Sequence, residues 1–240
     1  MIYLALGDSI TYGLDATDDD EHYVRKLKKK LNERQRTSLY VHAKPGWTAS
    51  QLLKSLERIP PCIIEEAGLV SVFIGGNDLI KALPWFLNDR DKALARLRAS
   101  FLPPVQEIVR QVKLNSEAMI LLCSQYNPFP QSELAEFAVV GLNEMLAKIA
   151  REEGCLLVPV HKYYGGKESD FVHRYRRGAL EDFRLLRNPI HPNNLGHTQI
   201  ADAIFDAVNG AVGNHDNRTR ALGKRRKVYR RHRHRERKRV

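Results

Sequence analysis

Cysteine is scarce: Cys62, Cys123 and Cys155 are the three in a chain of 240 residues. The number is odd and the spacing matches no metal-ligand pattern, which argues against a disulfide framework or a zinc site. Cys123 and Cys155 fall in apolar runs, as buried reduced thiols of a cytoplasmic protein do. No apolar run approaches the roughly 18 residues that a membrane-spanning helix needs. The opening Met1-Ile2-Tyr3-Leu4-Ala5-Leu6-Gly7 has no basic stretch before it and no small-residue cleavage site after it, so no signal peptide is expected. The length of 240 residues fits one α/β domain with a sizeable core, or at most one domain plus an appendage.

Acid is missing from one end only. Residues 218–240 hold 13 Lys/Arg and the single acid Glu236, a net of +12. The overall formal charge is +11, so residues 1–217 carry a net of −1. The basic character therefore belongs to an arm, and it gives no reason to expect nucleic acid on the folded body. Like charges repel along the arm, and its few apolar residues cannot repay the ordering entropy. It is expected to be disordered and to offer a sticky surface to a polyanion, or else to serve as a solubilising tail.

The body alternates short apolar runs with longer helical patterns. Strands are expected at Ile2–Leu6, Ser38–Ala43, Leu69–Ile74, Ala118–Cys123 and Cys155–Val160. Continuous apolar runs suit strands buried on both faces. Helices are expected at roughly Glu21–Arg36, Ala49–Glu57, Arg90–Lys113, Ser132–Glu153 and from about Thr198 to Val212. This alternation predicts a parallel sheet with right-handed crossovers. In such sheets, sites form beyond the carboxyl ends of the strands.

Four segments with chemical potential fall at those ends or before the last helix. Gly7-Asp8-Ser9-Ile10-Thr11-Tyr12-Gly13 follows the first strand, where a serine can point its hydroxyl into the crevice or merely cap a helix. Pro45-Gly46-Trp47-Thr48 follows the second; its glycine can bring a backbone N–H close to a ligand or simply make a turn. Gly75-Gly76-Asn77-Asp78 follows the third and can present the Asn77 amide. Asn188-Pro189-Ile190-His191-Pro192 places a histidine on a proline-flanked loop before the final helix.

In order and position, these four segments resemble the conserved blocks of the SGNH hydrolases, the GDSL-type esterases and lipases. No G-x-S-x-G elbow is present, which sets the α/β-hydrolase pattern aside. The resemblance implies a three-layer α/β/α, flavodoxin-like fold with a five-stranded parallel sheet, and hydrolysis of acyl esters. It implies Ser9 as nucleophile and His191 as general base. The Ser9 N–H, the Gly46 N–H and the Asn77 amide would form the oxyanion hole. Asp8 and Asp78 would order the loops. No metal or organic cofactor is implied.

One position departs from the family pattern. Three residues before the histidine the family has Asp, and this chain has Asn188. An uncharged amide can orient an imidazole but cannot stabilise its cation. Three arrangements are open at this point. Ser9 and His191 work as a dyad with Asn188 or a backbone carbonyl orienting the ring; another acid, such as Asp182 or Glu181, reaches the ring; or the site binds acylated carbohydrate or lipid without cleaving it. Asp170 and His173 repeat the same spacing and form a lesser candidate pair. Asp19-Asp20-Glu21-His22 repeats it too and reads as a helix-start acidic cluster.

Two apolar clusters, Leu83-Pro84-Trp85-Phe86-Leu87 and Tyr126-Asn127-Pro128-Phe129-Pro130, are expected beside the crevice. Trp85, Phe86, Tyr126 and Phe129, with Trp47, would then wall an acyl or leaving-group pocket. The natural acyl and alcohol groups, and the oligomeric state, are not legible in the sequence.

Overall fold

The computed structural model describes residues 1–183 and 188–211. Five strands form one sheet: β1 (Ile2–Gly7), β2 (Ser38–Ala43), β3 (Ala67–Phe73), β4 (Met119–Cys123) and β5 (Leu156–Val158). All pairs are parallel, and the spatial order is β2-β1-β3-β4-β5. The helices between them are α1 (Ser9–Tyr12), α2 (Tyr23–Asn32), α3 (Ala49–Ser55), α4 (Pro61–Glu65), α5 (Gly76–Asn88), α6 (Arg90–Asn115), α7 (Glu133–Glu152), α8 (Val160–Tyr164) and α9 (Glu168–Phe171). Residues 194–205 are helical as well.

The chain divides into two compact units, Met1–Phe205 and Asp206–Val240. The first holds the sheet. Of the second, residues 206–211 are described and are helical. The domain boundary expected at residue 217 and the basic arm 218–240 lie outside the described residues. No helix among the described residues is long and apolar enough to cross a membrane.

Alternation along the strands covers the sheet on both sides, since successive side chains point to opposite faces. Leu4 and Leu6 of β1, Val70 and Val72 of β3 and Leu122 of β4 join the core cluster formed with Leu52 of α3, Phe101 of α6 and Leu142 of α7. Tyr3, Ala5 and Phe73 are equally buried. Tyr23 of α2 meets Phe73 edge-on and stacks over His197. A five-stranded parallel sheet between helical layers matches the expected fold class.

The expected strands agree within two residues at each end. The expected helices differ more. The segment 76–88, which carries the apolar cluster at 83–87 and was not among the expected helices, is the regular helix α5, with Pro84 inside it. Pro84 removes one backbone donor and masks the helical pattern in the sequence. The cost is offset by burial of Ala82 and Phe86 in the core.

Candidate active site

Ser9 opens α1 immediately after β1. The turn is tight because Asp8 caps it, its carboxylate accepting the Ile10 N–H at 3.1 Å. Gly7 is required by close approach: a Cβ there would lie 2.5 Å from the Phe73 carbonyl oxygen and closer still to the Thr11 side chain. The result is a serine 8% exposed at the carboxyl edge of the sheet.

His191 reaches it from the far end of the chain. Its Nε2 lies 3.0 Å from Ser9 Oγ. The loop that carries it is held by main-chain bonds on each side of the ring. The Tyr126 hydroxyl donates to the Ile190 carbonyl at 2.6 Å, the His173 N–H donates to the His191 carbonyl at 2.8 Å, and Val172 and Pro192 form an antiparallel bridge.

The other ring nitrogen also faces a carboxylate. His191 Nδ1 lies 2.8 Å from Asp15 Oδ2. Asp15 sits just beyond α1 with φ of +67°. The left-handed region is open to Asp at modest cost. The position facing Nδ1, expected to belong to Asn188, is thus held by Asp15. The reason is geometric: the turn after Ser9 folds back toward the same ring that Ser9 meets. Leu14 N–H donates to the Ser9 carbonyl at 2.9 Å, so the acid is fixed relative to the nucleophile itself.

The remaining acid candidates are engaged elsewhere. Asp182 Oδ2 accepts the backbone N–H groups of Arg177, Gly178 and Ala179, and Glu181 is exposed. Asp170 and His173 serve the histidine loop through their backbones: the Asp170 carbonyl accepts Asn193 Nδ2 at 2.8 Å, and the His173 N–H takes the His191 carbonyl. Asp18 accepts from the N–H groups of Asp20 and Glu21, so the 19–22 cluster is a helix start, as read.

The three segments expected to supply oxyanion donors converge through Asn77. Its Nδ2 donates to the Trp47 carbonyl at 3.0 Å and lies 3.3 Å from Asp8 Oδ2. Gly46 adjoins Trp47 and has φ of +84°; nothing lies within 4 Å of the place a Cβ would take, so its backbone faces open space. Asp78 Oδ2 accepts the Ala49 N–H at 3.1 Å, tying the start of α5 to the start of α3.

Both carboxyls of this frame are buried, and burial raises their pKa. Asp8 is pushed to about 7, with the nearby Asp78 adding to the shift and the Ile10 N–H and Asn77 opposing it. Asp78 is pushed to about 6 against the hydrogen bond from Ala49. Behind the acid loop, His197 is fully buried; burial and the neighbouring His22 lower it to about 3. It stays neutral, and its Nδ1 accepts the Tyr23 N–H at 3.4 Å.

An apolar cleft runs from Ser9 and His191 between α5, α7 and the 126–129 segment. Phe86, Tyr126 and Phe129 line it, as expected. Trp85 and Trp47 do not. On α5 the apolar side chains lining the cleft are Leu79, Ile80, Leu83 and Phe86, one helical stripe, and Trp85 lies off that stripe. Its ring is 41% exposed beneath the Arg96 guanidinium. Trp47 offers the site its carbonyl while its ring packs on His42, with centroids 5.3 Å apart. Sequence reasoning missed Asp15, Gln125 and Leu180, the last two of which also line the cleft. Asp15 had a visible signal, an acid six residues past the serine just beyond a turn glycine. Leu180 had none, because its approach to the cleft depends on the path of a long irregular segment.

Residues 5–199 match the model of the GDSL-like lipase/acylhydrolase family. The spore germination lipase LipC of Bacillus licheniformis is 25% identical over 221 residues, covering 88% of this chain and 97% of that protein. Among solved structures, the lipase Lip_vut3 from a goat rumen metagenome superposes with a TM-score of 0.72 at 23% identity, covering 86% of this chain and 97% of that one. The acetylxylan esterase Axe2 of Geobacillus stearothermophilus gives 0.62 at 17%, covering 86% and 93%. At those identities the two structures speak for the fold alone. With a family match spanning the sheet, the serine turn and the histidine loop, this chain belongs to the GDSL-like lipase/acylhydrolase family.

Proposed function

We propose that the protein hydrolyses carboxylic esters with an apolar acyl chain through a Ser9–His191–Asp15 triad. One observation carries the reading: two successive short contacts, 3.0 Å from Ser9 Oγ to His191 Nε2 and 2.8 Å from His191 Nδ1 to Asp15 Oδ2. A hydroxyl is a poor nucleophile until a base within hydrogen-bond reach accepts its proton. An imidazole is such a base near neutral pH. An ionised carboxylate at Nδ1 fixes the tautomer that leaves Nε2 free to accept, and stabilises the cation formed.

Ser9 Oγ attacks the ester carbonyl carbon as its proton passes to His191 Nε2. The carbonyl oxygen becomes an oxyanion, facing the Ser9 and Gly46 N–H groups and the Asn77 amide, donors of a kind each worth roughly 10²–10³ in rate. Asn77 Nδ2 already serves the Trp47 carbonyl, and its longer contact, 3.3 Å to Asp8, is the one an oxyanion would take over. The tetrahedral intermediate collapses, the bond to the alcohol oxygen breaks, and His191 returns the proton to the departing alcohol. Water, deprotonated by His191, then attacks the acyl carbon; the bond to Ser9 Oγ breaks, His191 returns the proton to Ser9 Oγ, and the carboxylic acid leaves.

The cleft supports the acyl half of the reading. Ile10, Leu79, Leu83, Phe86, Phe129 and Val139 line it beside Ser9. Such a wall favours methylenes over a polar sugar. The names of relatives do not decide this, since they include a lipase and an acetylxylan esterase. The alternative of a binding module rested on Asn188 alone, and with Asp15 at the ring that support is gone. Separately, the net charge of +12 on residues 218–240 supports a salt-dependent association of the arm with polyanions.

A fluorophosphonate probe and a series of p-nitrophenyl esters from acetate to decanoate test the reading. Wild type should label and cleave the longer chains with the higher kcat/KM, and Ser9→Ala should do neither. A wild type that neither labels nor cleaves defeats the proposal, and a preference for acetate defeats its acyl part.

A further inference from the structure

Asp15 stands between two pins. On its N-terminal side, Leu14 N–H is bound to the Ser9 carbonyl at 2.9 Å. On its C-terminal side, Thr17 is bound to Asn194, 177 residues away along the chain. The Asn194 side chain makes both contacts there. Its Oδ1 accepts the Thr17 N–H at 3.1 Å, and its Nδ2 donates to Thr17 Oγ1 at 2.8 Å. A backbone N–H can only donate, so Oδ1 must face it and Nδ2 must face the hydroxyl; one amide orientation satisfies the whole set.

Asn194 is itself fixed. It lies at the start of the helical residues 194–205, three residues past His191, and its carbonyl accepts the Thr198 hydroxyl at 2.9 Å. The amide therefore joins the loop that bears the acid to the segment that bears the base. The join matters because Asp15 is held at φ +67°. A non-glycine residue in that region keeps its conformation only where its surroundings over-determine it. The Ala16 N–H closes the turn locally on the Gly13 carbonyl at 3.3 Å, and the Thr17–Asn194 contacts add a tie from this turn to the segment that bears His191, beside an Asp15 side chain that is 32% exposed.

We propose that Asn194 is the positioning residue of the triad acid: by gripping Thr17 it locks the 15–17 turn so that the Asp15 carboxylate stays on His191 Nδ1. The inference rests on the triad reading, and it adds that the acid's reach depends on a residue that touches neither substrate nor ring.

The test is a double-mutant cycle on the full chain, read as kcat and KM on a p-nitrophenyl ester. Asn194→Ala should lower kcat about tenfold with KM within twofold of wild type. Thr17→Val keeps the N–H contact and loses the hydroxyl, and should lower kcat by about threefold. In an Asp15→Ala background neither substitution should lower kcat further. Melting temperatures of the variants separate positioning from folding, because Asn194 is only part-buried and Thr17 is exposed. Equal losses in both backgrounds, or no loss in either, overturn the clamp and leave the triad standing. An Asp15→Ala enzyme as active as wild type overturns the triad and the clamp with it.

Discussion

Two loops approach the same imidazole from opposite sides. The loop before the last helix carries His191 and, three residues upstream, Asn188. The turn after the nucleophile carries Asp15. In the family pattern the first loop supplies both base and acid. Here the second brings a carboxylate to 2.8 Å from Nδ1. What the reaction requires is a fixed negative charge along the Nδ1–H direction. That requirement constrains a point in space, and any loop that reaches the point can fill it.

Exchanging charge between the two loops gives the sharpest test. Asp15→Asn should lower kcat by roughly 10⁴, as the equivalent change does in the serine-protease template, because its amide can turn the imidazole into the wrong tautomer. Asn188→Ala should change kcat less than threefold. A large loss at Asn188 with little at Asp15, measured on one ester under one set of conditions, would restore the first loop to the acid's role.

A smaller effect is expected on substrate choice, where the polar and apolar ends of the cleft can be separated. Ala135 lines the apolar end on α7 and is half-buried. Ala135→Trp should reduce the ratio of decanoate to acetate kcat/KM by about 10–100-fold, as pocket methylenes are each worth about 1–3 kcal/mol. Acetate turnover should stay near that of wild type. An unchanged ratio would move the acyl chain out of this cleft.

The buried carboxyl Asp78 gives a change in stability. Its pKa is raised to about 6, so it favours folding while protonated. The benefit is complete below the ordinary aspartate range near pH 4 and is lost as pH rises through about 6. The loss amounts to at most about 3 kcal/mol by linkage. Asp78→Asn keeps an acceptor for Ala49 N–H and removes the titration. Its melting temperature, compared with wild type at pH 4.5 and pH 8, should gain at the higher pH. A constant difference between the two proteins would show that Asp78 does not carry the pH dependence. The smallest effect concerns the basic arm. A chain ending at Asn217 should hydrolyse soluble esters within twofold of the full chain. It should also lose the salt-dependent retention on heparin that the full chain is expected to show.

The parallel sheet was legible because its strands are continuous apolar runs bounded by turn residues. Ser9 and His191 were legible because each stands in a motif at a strand end or before a helix, and the structure brings the two within 3.0 Å. Asn188 was expected at Nδ1 from the family pattern, and Asp15 stands there instead. Asp15 was passed over although an acid six residues past Ser9 is visible, because its meeting with the ring depends on a left-handed turn and a partner 176 residues away. Trp85 and Trp47 show a further limit. Both lie near the site along the chain, but the Trp85 ring lies under Arg96 and the Trp47 ring packs on His42 and the core.

The bond from Leu14 N–H to the Ser9 carbonyl puts nucleophile and acid on one short, internally braced piece of chain. Only the base has to come from a distance, and both of its ring nitrogens meet that same piece. Loosening the histidine segment would break the proton path at two places in a single event while the sheet stays intact. Catalysis should then fail on gentle heating or in mild denaturant as one all-or-none step, ahead of global unfolding.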